Sequence, residues 1–241
     1  MKTKALALAA ILLMAAGGIF AQSVIVTKKK IVYTRPKSRD EYKKHFDIEW
    51  PKVKAATPAL SRRIENALSY ERVLGLDLNE ELRGTAWLHE ASFDVEYNKK
   101  GILGVMMFME GSGAYASGTT KRVLIDTRTG NLLRPNDLFT NLPGLTALVK
   151  RAHRAEIVGA LVDLKKDPEN ADIEDTFKES AQYPKLGLSQ MTVTDKGVTF
   201  YHDYGFPHLI TALQPDGEYV YTWKELRPYI KRNGAFAKFA R

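Results

Sequence analysis

WLHEASFDVEYNKKGILGVMMFME, residues 87–110, has the pattern of two β-strands joined by a tight turn. Residues 87–97 and 102–110 are rich in strand-favouring residues, and residues 98–101, Asn-Lys-Lys-Gly, have the composition of a hairpin connection. Residues 118–126 provide a third strand, and residues 126–130 predict a turn in which Gly130 is free to take a positive φ. The segment therefore predicts the centre of an antiparallel sheet.

Shorter strands and a few helices surround this segment. Strands are predicted at residues 24–33, 46–50, 191–194, 198–201 and 218–221, and the second is expected to stop at Pro51, because proline has no N–H for a sheet. Thr57 and Pro58 open a first helix, and residues 145–166 form the longest helical pattern. Strands joined mostly by hairpins predict an α+β fold, with a mostly antiparallel sheet packed against a few helices, and disfavour a dinucleotide-binding fold.

The first 21 residues have the parts of an export signal: Lys2 and Lys4, an apolar run over residues 5–20, and the small Ala21. The run is shorter than the roughly 20 residues that span a bilayer, and no comparable run follows it. The chain has no cysteine, which excludes a disulfide framework. We predict an exported protein, periplasmic or secreted, with no transmembrane segment after cleavage. Its expected parts are a signal peptide (residues 1–21), a single domain (22–230) and a basic tail (231–241).

Positive charge is concentrated at the two ends of the exported chain. Eight Lys or Arg against two acids lie between residues 28 and 44, and six against one lie between residues 224 and 241. Because the net charge is only +8, the middle of the chain is acidic. Basic ends suggest contact with an anionic surface, and solvated charge is the simpler alternative. The residues expected at that contact are Lys28, Lys29, Lys30, Arg35 and Lys37; nucleic acid is not expected as a partner.

Three short motifs occur in order along the chain: residues 111–115, Gly-Ser-Gly-Ala-Tyr; residues 126–130, Asp-Thr-Arg-Thr-Gly, with residues 136–139, Asn-Asp-Leu-Phe; and residues 197–201, Gly-Val-Thr-Phe-Tyr, with Tyr204 and Pro207. Together they resemble the domain of unknown function 3298 family. Domains of this family form the extracellular part of RsiV-type anti-sigma factors and the non-catalytic N-terminal region of PdaC-type peptidoglycan deacetylases. The resemblance covers most of residues 31–230.

This resemblance implies a secreted domain that binds a component of the envelope or an attacking protein; RsiV-like domains recognise lysozyme. Family members often carry histidine where this chain has Tyr115, so a role for that imidazole does not transfer. We expect neither an anti-sigma segment before the domain nor a deacetylase domain after it. We therefore expect a non-catalytic binding domain of the cell envelope that recognises a wall polymer or an envelope protein, without a cofactor.

Aromatic residues are dense towards the end of the chain. Most are expected to pack in the core, but two or three in an open groove would suit stacking on sugar rings or anchoring a protein. The candidates for binding are Tyr115, Tyr201, Tyr204, Phe206, Tyr219 and Tyr221.

The alternative function is a carboxylate-dependent enzyme acting on cell-wall glycan, with Asp203 and Glu218 as the catalytic pair. His202 and His208 are the best metal candidates, but so few ligands favour a structural role, and no metal is expected. Ser112 or Ser117 could act as a nucleophile only if the fold delivered a histidine and an acid to it.

Overall fold

The computed structural model describes residues 23–36, 43–83, 87–166, 173–182 and 185–239. The predicted signal peptide, residues 1–21, lies outside the described residues, and so does Lys37. Within the described part, no helix combines the length and the apolar character needed to cross a membrane.

A five-stranded sheet forms the first half of the molecule, with its strands in chain order. All neighbours are antiparallel except β2 and β3, whose parallel pairing is limited to two residues on each strand. The strands are β1 (Ile25–Thr34), β2 (His45–Lys54), β3 (Leu88–Lys99), β4 (Ile102–Ser112) and β5 (Ala116–Asp126). The hairpin predicted at residues 98–101 is therefore confirmed as the β3–β4 connection.

The prediction that the second strand stops at Pro51 was wrong, because β2 continues through it to Lys54. Pairing with β3 is confined to Asp47 and Ile48, so β2 has a sheet neighbour on only one side beyond that point. A proline is tolerated on an edge where its missing N–H would face away from the neighbouring strand.

The first three of the seven helices within the described ranges pack on this sheet. The first begins where expected, because the Thr57 hydroxyl accepts a hydrogen bond from the Leu60 N–H and Pro58 occupies the first turn. Ile64 and Tyr70 from these helices pack in a cluster with Ile48 and Phe93 of the sheet. The helices are α1 (Pro58–Ala67), α2 (Tyr70–Leu74), α3 (Leu78–Arg83), α4 (Pro135–Leu138), α5 (Leu142–Leu164), α6 (Glu174–Ser180) and α7 (Trp223–Leu226).

A smaller antiparallel sheet contains β6 (Met191–Val193), β7 (Gly197–Tyr201) and β8 (Glu218–Thr222). Leu145 and Val149 of α5 share a buried cluster with Tyr219 and Tyr221 of β8, so the longest helix packs on this sheet. The two mostly antiparallel sheets and their helices confirm the α+β prediction.

The fold extends beyond residue 230, where the sequence predicted a basic tail. Phe236 is fully buried, and the ring of Phe239 stacks on Trp223 with 4.2 Å between centroids. These two aromatic side chains join residues 231–239 to the core.

Candidate functional site

A cavity of about 340 Å³ lies at the tip of the β4–β5 hairpin. It combines two hydroxyls, an imidazole and a carboxylate with walls of small residues. Its lining consists of His89, Glu110, Gly111, Ser112, Ala116, Ser117 and Gly118.

The register of the hairpin opens this space. Glu110 lies opposite Gly118, and Ser112 lies opposite Ala116, so each polar side chain faces a residue with little or no side chain. Gly111 is required by a close approach of the chain, because a Cβ there would lie 2.1 Å from the carbonyl oxygen of Trp87. The same carbonyl accepts a hydrogen bond from the Ser112 N–H at 3.0 Å, which ties the tip to the start of β3.

The fold brings a histidine to Ser112. Ser112 Oγ lies 3.0 Å from His89 Nε2, although the two residues are 23 positions apart. Lys43 Nζ donates to the Ser112 carbonyl oxygen at 3.1 Å, and the Trp87 indole N–H donates to Ser117 Oγ at 3.1 Å. A hydroxyl beside an imidazole can donate or accept, so it can adapt to a polyol ligand, or it can be activated as a nucleophile. Glu110 and His89 both lie in the described part of the chain, and no hydrogen bond joins them, so Glu110 does not orient the imidazole.

Tyr115 lies at the hairpin tip, next in sequence to Ala116 of the cavity lining, and is not itself part of that lining. Its side chain is 67% exposed and stacks on His208, with 4.7 Å between ring centroids and 26° between planes. Leu209, next to His208, is 89% exposed. Of the six aromatic candidates, Tyr115 is therefore the exposed one, with one ring face covered by His208.

The other five aromatic candidates lie apart from this cavity. Tyr201 is half-buried under the guanidinium of Arg122, whose Cζ lies 3.5 Å from the ring centroid. The remaining four, Tyr204, Phe206, Tyr219 and Tyr221, are buried. They form core contacts with α5 and α6, so the groove considered from the sequence is not present on the surface at those four positions.

Two of these buried tyrosines reveal a polar group that sequence reasoning missed. The hydroxyls of Tyr204 and Tyr219 donate to Glu156 Oε2 at 2.8 and 2.7 Å, and the Gly217 N–H donates to Oε1 at 2.9 Å. Burial raises the pKa of both tyrosines above the usual range. No local signal distinguishes Glu156 from the other charged residues of α5, because its partners lie more than 40 positions away.

No family model matches the chain, and no curated protein matches it either. Among solved structures, it is similar to a DUF3298 family protein from Pseudomonas aeruginosa PAO1, with a TM-score of 0.57 and 15% identity over 88% of this chain and 97% of that one. A member of the family from Bacteroides fragilis NCTC 9343 gives a TM-score of 0.59 and 14% identity over 91% of this chain and 98% of that one. The fold is that of the DUF3298 proteins. The resemblance drawn from the sequence is thus confirmed, and at these identities it concerns the fold alone.

The motifs that suggested DUF3298 are two turns, a short helix and a strand in the structure. Residues 111–115 turn the β4–β5 hairpin, residues 136–139 contain most of α4, and residues 197–201 are β7. In the turn after β5, the Gly130 N–H donates to the Asp126 carbonyl oxygen at 2.8 Å, and Gly130 has a φ of 73°. The motifs therefore mark turns and short elements of this fold.

The predicted anionic-surface contacts are largely engaged within this DUF3298 fold. Lys28 Nζ lies 2.8 Å from a Glu49 carboxylate oxygen, and Lys30 Nζ lies 2.5 Å from one of Asp47. Arg35 is only 3% exposed and pairs with Glu81 at 2.9 Å, so its expected surface role is corrected: it is an interior ion pair. Lys29 remains exposed.

The carboxylates of the enzymatic alternative are not joined by a hydrogen bond. Asp203 Oδ1 accepts from the Gly205 N–H at 2.9 Å, which stabilises its own turn, and Glu218 lies exposed on β8 opposite Tyr201. Among the described residues, no group of three or more metal-ligating side chains is positioned to hold a metal ion.

Proposed function

We propose that this chain is an exported, non-catalytic binding domain of the cell envelope that recognises a neutral stretch of wall glycan at the hairpin tip. The observation that carries the proposal is the cavity lined by Ser112, His89 and Glu110 beside the open ring of Tyr115.

Sugar rings combine hydroxyls that donate and accept hydrogen bonds with apolar C–H faces. Hydroxyl, imidazole and carboxylate groups match the first property, and the exposed face of Tyr115 matches the second. A cavity of about 340 Å³ is at the lower end of the range of ligand pockets, which suits one or two sugar units.

The charge of the lining favours a neutral ligand. None of its side chains is Lys or Arg, and Glu110 contributes a carboxylate. A neutral glycan is not repelled by that carboxylate, whereas a polyanion would be. Because Lys28 and Lys30 contact acids of β2, retention through β1 is not part of the proposal.

Co-sedimentation with purified sacculi, at low and high salt, tests this function. We expect pelleting that changes little with salt, and about tenfold weaker binding for Tyr115→Ala, the scale of a central aromatic anchor. Val220→Ala, at a residue that is 70% exposed on β8, is the matched control and should bind as the wild type does. Equal binding by wild type and Tyr115→Ala would contradict the site, and failure of the wild type to pellet would point to a protein partner.

Hydrolysis is the second candidate function, and the contact between Ser112 and His89 is the observation that favours it. The supernatant of the same experiment is assayed for released sugar and acid. We expect no release by the wild type. Release abolished by Ser112→Ala would make this the active site, whereas release abolished only in Asp203→Asn or Glu218→Gln would support the carboxylate pair.

A further inference from the structure

A second, larger cavity lies against the C-terminal segment, and its lining is basic. It has a volume of about 760 Å³ and shares no lining residue with the hairpin cavity. Three of its lining side chains are cationic, two are neutral polar groups, and none is a carboxylate. The lining consists of Arg227, Lys231, Arg232, Thr140, Asn233, Pro228, Ile230 and Ala237.

Backbone hydrogen bonds hold the C-terminal segment that lines this cavity in place. The Thr140 N–H donates to the Tyr229 carbonyl oxygen at 2.7 Å, and the Lys231 N–H donates to that of Leu138 at 2.9 Å. Phe236, which is fully buried, anchors the chain just beyond Arg232. The cations therefore project from an ordered surface and not from a free tail.

The two arginines of the cavity carry charge that no carboxylate offsets. In the described part of the chain, neither Arg227 nor Arg232 has an ion pair or a hydrogen bond from its guanidinium. Glu225, the nearest acid in the sequence, accepts from the Thr222 N–H and hydroxyl. Asp137, next to the Leu138 that pairs with Lys231, accepts from the Arg134 N–H. Lys231 Nζ donates to a backbone carbonyl oxygen, that of Asn136, at 3.2 Å, so its charge also remains uncompensated.

We propose that this cavity binds phosphate groups carried by a polymer. A guanidinium presents a planar fork of donors that matches two phosphate oxygens, and two such forks beside an ammonium make a site for successive anionic groups. Thr140 and Asn233 add neutral donors. The inference goes beyond the proposed glycan binding, because it concerns a different site and an anionic ligand in place of a neutral one.

Calorimetric titration of the purified protein with linear inorganic polyphosphate, at low salt, tests the proposal. We expect Arg227→Gln/Arg232→Gln to weaken binding by about tenfold or more. Lys54→Gln/Arg62→Gln, at exposed positions of β2 and α1, lowers the net charge equally and should change binding less than about twofold. Equal weakening by the two double variants would mean that only overall charge matters and would overturn the site.

Two further measurements identify the source of the phosphate and the chemistry. Arg227→Lys/Arg232→Lys keeps the charge but removes the fork, and we expect intermediate binding. Sedimentation with phosphatidylglycerol-containing vesicles, compared with phosphatidylcholine alone, tests lipid headgroups; binding to vesicles without binding to polyphosphate would overturn the polymer assignment. Tyr115→Ala should leave polyphosphate binding unchanged, so that failure here and failure of glycan binding are distinguishable.

Discussion

His153 of α5 and His202, which follows β7, face each other, and each has a buried ring nitrogen without the partner that buried polar atoms usually have. The rings of His153 and His202 lie 4.8 Å apart, and Nε2 of each is buried without a hydrogen bond. Burial lowers the pKa of both imidazoles, and each positive charge would oppose the other. The charged groups that also act on the pair are Glu156, Asp203, Lys150 and Arg154.

Because of these histidines, we expect the folded protein to become less stable in mild acid. The unfolded chain binds protons below about pH 6.5, whereas the folded chain resists protonation, so stability is complete above that pH and declines as the pH falls towards the lowered folded values. We expect the Tm to drop between about pH 7.5 and about pH 5.5. His153→Gln/His202→Gln should flatten this decline, and His45→Gln, at an exposed position, should not. A Tm of the wild type that is constant over this range would contradict the prediction.

At the scale of elements, the sequence predicted the turns and helix caps that depend on a few neighbouring residues. The β3–β4 hairpin and the cap at Thr57 followed from a short turn and a hydroxyl, and the structure confirms both. The site depends on register instead: His89 reaches Ser112 through pairing of β3 with β4, and a register shift between Leu88 and Glu90 lies at that point. Alternation of apolar and polar residues along a strand likewise shows which side chains share a face of the sheet. It does not show whether another element covers that face.

Glycine placement in the hairpin gives a prediction about that element. Gly111→Ala should force Trp87 away and destabilise the tip, because the new Cβ would lie 2.1 Å from a carbonyl oxygen. We expect a loss of about 1–3 kcal/mol of the free energy of unfolding, with weaker glycan binding. Gly113→Ala, two residues further, meets nothing within 4 Å and is the control. Urea titrations compare the two, and equal stability would show that the close approach is not required.

At the scale of the whole molecule, the two sheets share one buried cluster. Tyr97, Ile102 and Leu124 of the large sheet belong to the same cluster as Phe200 and Trp223. Polar contacts reinforce this junction, since the Tyr97 hydroxyl and the ammonium groups of Lys99 and Lys100 all contact the carboxylate of Asp195. Apolar burial shared across the junction couples the unfolding of the two sheets.

This coupling predicts that both sheets unfold in one transition, although they are separate in topology. Phe200 is fully buried and packs near Phe139 and Tyr221, so Phe200→Ala should cost about 3–5 kcal/mol. Hydrogen exchange in increasing denaturant should show that, in Phe200→Ala, the amides of β4 and β7 lose protection at the same denaturant concentration. That concentration should be lower than in the wild type. Val220→Ala, on the exposed face of β8, should leave both midpoints in place. If β7 lost protection while β4 kept it, the shared cluster would not couple the sheets, and the smaller sheet would be an independently unfolding unit.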